Sequence, residues 1–223
     1  MSAILHNKLE MQKNCITFDI SQGCSGYCHA IEIVKDIMIS RNIKKALIFT
    51  CDLYSKIIDM KNRDVNMIFG DAATVTLLDN EEGKYAILDS DFGTLPNSND
   101  CLSIKNGNLE MNGNQVFNYA CKEVPYAIKQ LLSKNNLTID DIDCFLLHQG
   151  TKFMVEFIRK LLKIPEEKAE FSAINIGNTV SSSIPIQLVE NMKKKHKKDY
   201  VVLSGFGVGF TWGNVLIKIE RED

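Results

Sequence analysis

The sequence lacks the features that mark membrane-spanning, secreted or nucleic-acid-binding proteins. None of its apolar runs approaches the roughly 18 residues that a transmembrane helix requires, and its N-terminus has no apolar segment like that of a secretory signal peptide. The formal net charge is only −2, and aromatic residues are not interleaved with basic ones, so there is no electrostatic basis for binding nucleic acid. We therefore expect a cytoplasmic protein that binds neither membranes nor nucleic acids.

The cysteines argue against disulfides and against a metal site. They are seven in number and irregularly spaced in a chain without a secretion signal, so reduced thiols are the simplest interpretation. Cys24, Cys28 and His29 lie close in sequence, but no second Cys/His pair lies at the spacing that would complete four zinc ligands. We expect no metal.

Strands and helices are predicted to alternate along the chain, which indicates an α/β fold. The length of 223 residues and the 45% hydrophobic content support a large core, in one large or two small domains. A helix between two β-rich segments implies a parallel β-α-β unit in the first half. Apolar periodicity predicts strands at 16–20, 45–50, 67–78, 85–89, 143–148, 170–176, 201–204 and 212–219, and helices at 26–39, 114–133, 152–162 and 183–195.

Cys24 lies where the first predicted strand turns into a helix. The unpaired N–H groups and the dipole of a helix N-terminus favour an anion, so a thiol there is expected to be acidified and nucleophilic. The competing interpretation is a buried structural cysteine, which is common in protein cores.

His148 and Asn178 also follow predicted strands. Each has an ordinary structural explanation: His148 as a core histidine bonded to a backbone carbonyl, and Asn178 as a turn residue after Gly177. Because the carboxyl ends of parallel strands meet at one edge of a sheet, the side chains of Cys24, His148 and Asn178 are expected to converge there.

Two other motifs have less chemical content. The glycines of 205–209 do not match a dinucleotide fingerprint, since a strand rather than a helix follows, and they indicate close approach of the backbone to a ligand or to Cys24. The basic run 193–198 is interpreted as the solvated end of a helix, with an acidic protein partner as the alternative.

Five motifs in the same order resemble the β-ketoacyl-ACP synthase III family of the thiolase superfamily. They are Phe-Asp-Ile-Ser-Gln-Gly-Cys-Ser-Gly around Cys24, Ile-Phe-Gly-Asp-Ala-Ala at 68–73, His148-Gln149, Gly177-Asn178-Thr179 followed by serines, and Gly-Phe-Gly-Val-Gly-Phe-Thr-Trp-Gly at 205–213. The resemblance implies a thiolase-like fold, in which two β-α repeats pack in α-β-α-β-α layers, here with the first repeat incomplete. Residues 1–83 would be the half that carries the nucleophile, and residues 84–223 the half that carries the histidine and asparagine.

The resemblance also implies a reaction. Cys24 would take an acyl group from acyl-CoA, and His148 and Asn178 would stabilise the enolate formed when malonyl-ACP loses CO₂, giving a 3-oxoacyl-ACP in fatty-acid or related acyl synthesis. The backbone near Gly207 and Val208 would contribute an oxyanion hole, and Phe206 would shape the pocket. CoA and ACP thioesters are the expected substrates, with no cofactor.

The chain departs from the family at several positions. The motif after His148 reads Gln-Gly-Thr where Gln-Ala-Asn is usual, and Phe153 replaces a basic residue that is often used for carrier docking. The resemblance assigns Arg63 to CoA binding and Lys160 to the remaining carrier surface.

Family members also carry a segment before the position that matches Ser2. We therefore expect a truncated or split protein, working as a homodimer or completed by another segment.

Other functions stay open at this point. A related synthase could transfer the acyl group to another nucleophile, and an inactive fragment or scaffold would keep the fold without the reaction. A papain-like protease shares the order Cys, His, Asn, although repeated β-α alternation argues against it.

Overall fold

The computed structural model describes residues 1–59 and 61–220. Within these residues the α-helices are α1 (Ser2–Lys8), α2 (Gly26–Arg41), α3 (Arg63–Asn66), α4 (Gly113–Lys134), α5 (Lys152–Leu162) and α6 (Ser183–Asn191). The strands are β1 (Lys45–Asp52), β2 (Ala72–Asp79), β3 (Tyr85–Thr94), β4 (Leu102–Lys105), β5 (Asn108–Met111), β6 (Ile142–Leu147), β7 (Tyr200–Gly207) and β8 (Thr211–Ile219). No helix among the described residues combines the length and the apolar character needed to cross a membrane.

A four-stranded sheet with the order β3-β8-β7-β6 forms the centre of the molecule. Strands β6 and β7 are parallel, whereas β8 is antiparallel to both of its neighbours. Strand β7 is buried from Val201 to Gly207, and β8 is buried over most of its length. Such nearly continuous apolar strands are typical of a sheet that is covered on both faces.

Helix α4 covers one face of this sheet and packs against α5. Its buried residues recur at helical spacing, as at Val116, Ala120, Val124 and Ile128, and they join one hydrophobic core with Phe206 and other residues of the sheet. The helix continues through Pro125. The side chain of Asn112 caps its first turn by accepting a hydrogen bond from Gln115 N at 3.1 Å.

Helices α2 and α6 cover the opposite face. Tyr27 and Ile31 of α2 and Ile184 of α6 share a second core with the side chains of β7 and β8 that point away from α4. The two-stranded sheet of β1 and β2 lies beyond these helices, where the Tyr27 hydroxyl and Thr76 Oγ1 are 3.0 Å apart. The described residues thus supply four successive layers of an α-β-α-β-α arrangement.

The outer face of the β1–β2 sheet is apolar and exposed. The cross-strand pairs Leu47–Leu77 and Phe49–Val75 lie on it, and all four side chains are exposed to solvent. A two-stranded sheet is marginally stable without further packing. This face has the composition of a buried surface.

Three sequence expectations about the fold are wrong. Residues 16–20 form no strand, because no described segment pairs with them, and Ile16, Phe18 and Ile20 are exposed. The expected parallel β-α-β unit is therefore not formed, and β1 pairs antiparallel with β2. Residues 170–176 likewise form no strand, since the backbone of Ser172 bonds to a glutamine side chain instead.

Other elements differ in extent. Helix α5 has the predicted bounds, whereas α6 ends at Asn191, before the basic run, rather than near residue 195. The polar segment after β3 contains the short β4–β5 hairpin, which was not predicted.

Candidate active site

Cys24 lies in a tight 3₁₀ turn, Gly23–Ser25, that leads directly into α2. Only 3% of the residue is exposed. The absent side chain of Gly207 makes room for it: a Cβ at Gly207 would lie 2.9 Å from Cys24 Cβ and 3.0 Å from Cys24 Sγ. Gly205 gives similar room, since a Cβ there would lie 2.7 Å from the Cys24 carbonyl oxygen. Two glycines of β7 therefore set the position of the thiol.

The expected acidification of Cys24 is wrong for this structure. Burial raises the pKa of the thiol to about 12, and the nearby negative charge of Asp52 raises it further. The turn at the start of α2 does not compensate for the loss of water. Cys24 is therefore a neutral thiol at physiological pH.

His148 immediately follows β6, as predicted, and is 3% exposed. Its backbone N–H donates to Ser204 O at 2.8 Å, and its ring lies edge-on to Phe206 with the ring centroids 5.5 Å apart. Burial lowers the pKa of His148 to about 3, while a hydrogen bond with the Val180 backbone opposes this shift. The imidazole is therefore neutral at physiological pH, with one donor and one acceptor nitrogen.

Two buried glutamines hold the chain on either side of His148. Gln149 Nε2 donates to Leu147 O at 2.8 Å and to Gln187 Oε1 at 3.1 Å, and Gln149 Oε1 accepts from Ser172 N at 2.8 Å. Gln187 Nε2 donates to Leu147 O and to Ser183 O, both at 2.9 Å. The backbone around His148 is thus fixed to the first turns of α6.

Asn178 is held by backbone pairing with the segment that precedes β2. Its N–H donates to Ile68 O at 2.8 Å, and its carbonyl accepts from Gly70 N at 3.0 Å. A Cβ at Gly70 would lie 1.9 Å from Ile176 O, so this close approach requires glycine. Gly177, at φ +69°, supplies the left-handed turn before Asn178.

Val180 connects His148 with Asn178. Its N–H donates to Asn178 Oδ1 at 2.9 Å, and its backbone also bonds to the His148 ring. This bond to Oδ1 fixes the orientation of the Asn178 amide, whose Nδ2 amine is the donor that a ligand would meet. Val180 has φ +53°, a left-handed conformation that is a genuine outlier for a β-branched residue. Such strain is characteristic of functional sites.

The structure gathers the three predicted residues around the same two backbone segments. The turn that carries Cys24 contacts both β7 and the 3₁₀ turn Val180–Ser182. His148 reaches the same segments through Phe206 and Val180, and Asn178 reaches them through Val180. Their convergence was predicted from strand ends, and that reason is wrong. Of the three residues, only His148 follows a strand in the described part of the chain.

The other predicted pocket residues are also at this centre. Phe206 and Gly207 end β7, and Val208 follows them. A Cβ at Gly23 would lie 2.9 Å from Val208 Cγ2, and Thr211 Oγ1 donates to Val208 O at 2.7 Å. This loop is therefore in close contact with the turn that carries Cys24.

Arg63 and Lys160 lie away from the reacting groups. Arg63 is exposed at the start of α3, and Lys160 is exposed on α5. The departures after His148 have simple structural explanations. A Cβ at Gly150 would make only ordinary contacts, the nearest at 3.4 Å to Met154 Sδ, and Thr151 caps α5 by accepting from Met154 N at 3.2 Å.

Comparison with known proteins places the chain in a family. The family model for 3-oxoacyl-[acyl-carrier-protein] synthase III matches residues 18–96, and the model for its C-terminal part matches residues 132–219. The β-ketoacyl-[acyl-carrier-protein] synthase III of Ehrlichia ruminantium (strain Welgevonden) is 35% identical over 230 residues, covering 98% of this chain and 72% of the relative. The chain belongs to the 3-oxoacyl-ACP synthase III family. The synthase III of Clostridium perfringens (strain ATCC 13124) is 32% identical with the same coverage.

Solved structures of synthase III enzymes confirm the predicted thiolase-like fold. A 3-oxoacyl-(acyl-carrier-protein) synthase III crystal structure superposes with a TM-score of 0.90 at 28% identity, covering 98% of this chain and 73% of the other. The enzyme from Aquifex aeolicus gives 0.91 at 27% identity, with coverage of 97% and 71%. The papain-like alternative is therefore wrong, and the protein is a condensing acyltransferase of the synthase III type.

Sequence reasoning missed several residues that support the site. Asp52 anchors the Val180–Ser182 turn by accepting from Ser181 N at 3.1 Å, and Ser183 Oγ lies 2.8 Å from His148 Nδ1. Tyr54 is buried in the same core as Cys24. The serine-rich start of α6 was visible in the sequence, but nothing in it distinguishes which serine faces which partner.

Proposed function

We propose that this chain catalyses the decarboxylative condensation of an acyl-CoA with malonyl-ACP, with Cys24, His148 and Asn178 as the catalytic residues. The acyl group is transferred to Cys24 Sγ as a thioester. His148 and Asn178 then donate hydrogen bonds to the malonyl thioester carbonyl as CO₂ leaves. The resulting enolate carbon attacks the acyl-Cys24 carbonyl, the bond between that carbonyl and Sγ breaks, and Cys24 leaves as a thiolate that takes up a proton from water, which gives 3-oxoacyl-ACP and the free thiol.

One observation carries this proposal: a neutral imidazole and a side-chain amide are linked through Val180 beside a buried thiol. Neutral donors stabilise a developing enolate without protonating it, whereas an imidazolium would be a competing acid. His148 is neutral because burial lowers its pKa to about 3. Asn178 presents its amine because Val180 N–H occupies the amide oxygen.

The chain segment after β7 completes the proposed site. We assign the oxyanion hole for the acyl-Cys24 carbonyl to backbone N–H groups of Cys24 and of the Gly207–Val208 segment, and the shape of the pocket to Phe206. The close contacts of Gly207 with Cys24 and of Val208 with Gly23 support this assignment. The reaction as written needs no cofactor, since both substrates are thioesters.

We assign carrier-protein binding to the exposed side of α5. Phe153, which is 64% exposed, stacks on Phe117 with the ring centroids 5.1 Å apart and lies near Phe157. Lys160 on the same helix adds a positive charge that suits an acidic carrier. The helix begins four residues after His148, so this aromatic surface is next to the site. Arg63 is the proposed contact for CoA.

The proposed organisation follows the two halves expected from the resemblance, residues 1–83 with Cys24 and residues 84–223 with His148 and Asn178. The exposed apolar face of β1 and β2 supports the proposal that the first half is covered by a second copy or by a further segment. A cytoplasmic location remains a prediction from the family.

The test is acyl transfer to Cys24. The protein is incubated with acetyl-CoA and with longer acyl-CoAs, and intact mass spectrometry follows the acyl adduct in wild type, Cys24→Ala and Cys28→Ala. Cys28 is a matched control because it is equally buried and lies one helical turn further along α2. An adduct that is lost only in Cys24→Ala supports the nucleophile.

The second half-reaction is measured separately as release of CO₂ from malonyl-ACP. His148→Ala and Asn178→Ala should lose roughly 10²- to 10³-fold in decarboxylation, the usual effect of removing one donor to a developing oxyanion, while Cys24 is still acylated. No adduct with any donor would contradict the synthase proposal and favour a scaffold. An adduct without condensation would favour transfer to another nucleophile.

A further inference from the structure

The hydroxyl of Ser183 lies within hydrogen-bonding distance of Nδ1 of His148. The two atoms are 2.8 Å apart, and Ser183 is 2% exposed, so no bulk water competes for this hydrogen bond. Ser183 is the first residue of α6, and its carbonyl accepts from Gln187 Nε2 at 2.9 Å. The same Gln187 amine donates to Leu147 O, directly before His148. The hydroxyl and the histidine are therefore held by one hydrogen-bond network.

We infer that Ser183 is a positioning residue that donates its hydroxyl hydrogen to His148 Nδ1 and thereby keeps the ring proton on Nε2. A neutral imidazole has one N–H, and accepting at Nδ1 leaves Nε2 as the donor. This inference rests on the proposed function, in which His148 must donate a hydrogen bond to the malonyl thioester carbonyl. Under this inference, Ser183 determines which of the two neutral tautomers His148 adopts. The tautomers differ in whether Nε2 donates or accepts a hydrogen bond.

The opposite neutral tautomer is the competing arrangement. With the proton on Nδ1, the Ser183 hydroxyl would accept a hydrogen bond instead of donating one, and Nε2 would carry no proton. A bare Nε2 could act as a base, but it could not donate to an enolate. The direction of the hydroxyl–Nδ1 bond therefore decides which chemistry His148 performs.

The neighbouring Ser182 provides a matched control. It is also buried, and its Oγ lies 2.7 Å from Thr50 Oγ1, so its hydroxyl bonds to β1 rather than to His148. Ser182→Ala and Ser183→Ala remove the same atom from adjacent residues. Ser183→Thr keeps a hydroxyl at the position.

The first measurement is the tautomer itself. Nitrogen-15 NMR of histidine-labelled protein distinguishes a protonated from a bare ring nitrogen, and the signals of His148 among the four histidines are identified by their loss in His148→Asn. We expect Nε2–H in wild type and in Ser182→Ala, and a shift toward Nδ1–H in Ser183→Ala. Nδ1–H in wild type would overturn the inference, whatever the activity of the enzyme.

The second measurement separates the half-reactions. Ser183→Ala should slow decarboxylation of malonyl-ACP by roughly ten- to a hundredfold, by analogy with loss of the hydrogen-bond partner that fixes the tautomer of a metal-ligating histidine. Acylation of Cys24 should change less than about threefold, and Ser183→Thr should recover most of the lost rate. Equal loss in both half-reactions, or in Ser182→Ala, would indicate a merely structural role and overturn the inference. A wild type with Nε2–H but no decarboxylation would instead contradict the proposed function.

Discussion

Gly207→Ala tests directly whether β7 sets the position of the Cys24 thiol. The new Cβ would lie 2.9 Å from Cys24 Cβ and 3.0 Å from Sγ, whereas ordinary contacts at such positions are 3.4 to 4 Å. One of the two segments must therefore move by about half an ångström. Cys24 Cβ is attached directly to the backbone of the 3₁₀ turn, so it cannot move aside as the tip of a long side chain could.

This displacement should reduce reactivity more than stability. A shift of roughly 1 Å in a reacting group can cost about 10²-fold in rate, so we expect Cys24 acylation to fall about ten- to a hundredfold. Overpacking of a core position typically costs about 1–3 kcal/mol of unfolding free energy. Single-turnover acylation by acetyl-CoA, followed by intact mass, measures the first effect, and urea unfolding measures the second.

Gly113→Ala is the control for replacing glycine by alanine. A Cβ at Gly113, at the start of α4, would have no neighbour within 4 Å, so both rate and stability should stay close to wild type. A Gly207→Ala protein that is acylated at the wild-type rate would refute the reasoning, because the thiol would then not depend on the space that Gly207 leaves.

Three further predictions concern charge and surfaces. Burial prevents the folded His148 from taking up a proton until about pH 3, whereas the unfolded histidine binds one below about pH 6.5. Between these values the free energy of unfolding should therefore fall on acidification by about 1.4 kcal/mol per pH unit more in wild type than in His148→Asn. Equal slopes of unfolding free energy against pH, measured by urea titration, would contradict this. Phe153→Ala and Lys160→Ala should each raise KM for malonyl-ACP about fivefold without slowing Cys24 acylation by acetyl-CoA, and an unchanged KM would remove α5 from the carrier surface. Val75→Lys, at a 57% exposed position of β2, should reduce self-association in sedimentation experiments, whereas Ile39→Lys, at a 72% exposed position of α2, should not. The same association in both variants would argue against the exposed face of the β1–β2 sheet as the contact surface.

Local patterns in the sequence predicted much of the fold. The bounds of α5 follow from its strong 3.6-residue periodicity and from Thr151 at its N-cap, and the burial of the first part of β7 follows from its apolar residues 201–203. Residues 16–20 show why such patterns can mislead. Their alternation is typical of a strand, but a strand forms only where another segment pairs with it.

The site was predictable in composition but not in geometry. The sequence contains Cys24, His148 and Asn178 in recognisable motifs, yet the orientation of His148 depends on the hydroxyl of Ser183 and on two glutamines brought in from other segments. The direction of the Cys24 pKa shift was also beyond the sequence. A helix start favours an anion, but the extent of burial decided the sign, and burial is a property of the assembled structure.

Both reacting side chains are uncharged in the free protein, and this affects the two half-reactions in opposite ways. With the pKa of Cys24 near 12 and that of His148 near 3, a thiolate–imidazolium pair does not exist beforehand. Under the proposed reaction the thiol proton leaves as Sγ attacks, and the departing CoA sulfur is the group that finally gains it. Burial therefore slows the first step. In the second step the same low-dielectric surroundings strengthen the hydrogen bonds from His148 and Asn178 to the enolate oxygen and keep His148 from protonating the carbanion. The burial that makes Cys24 a weaker nucleophile thus favours carbon–carbon bond formation.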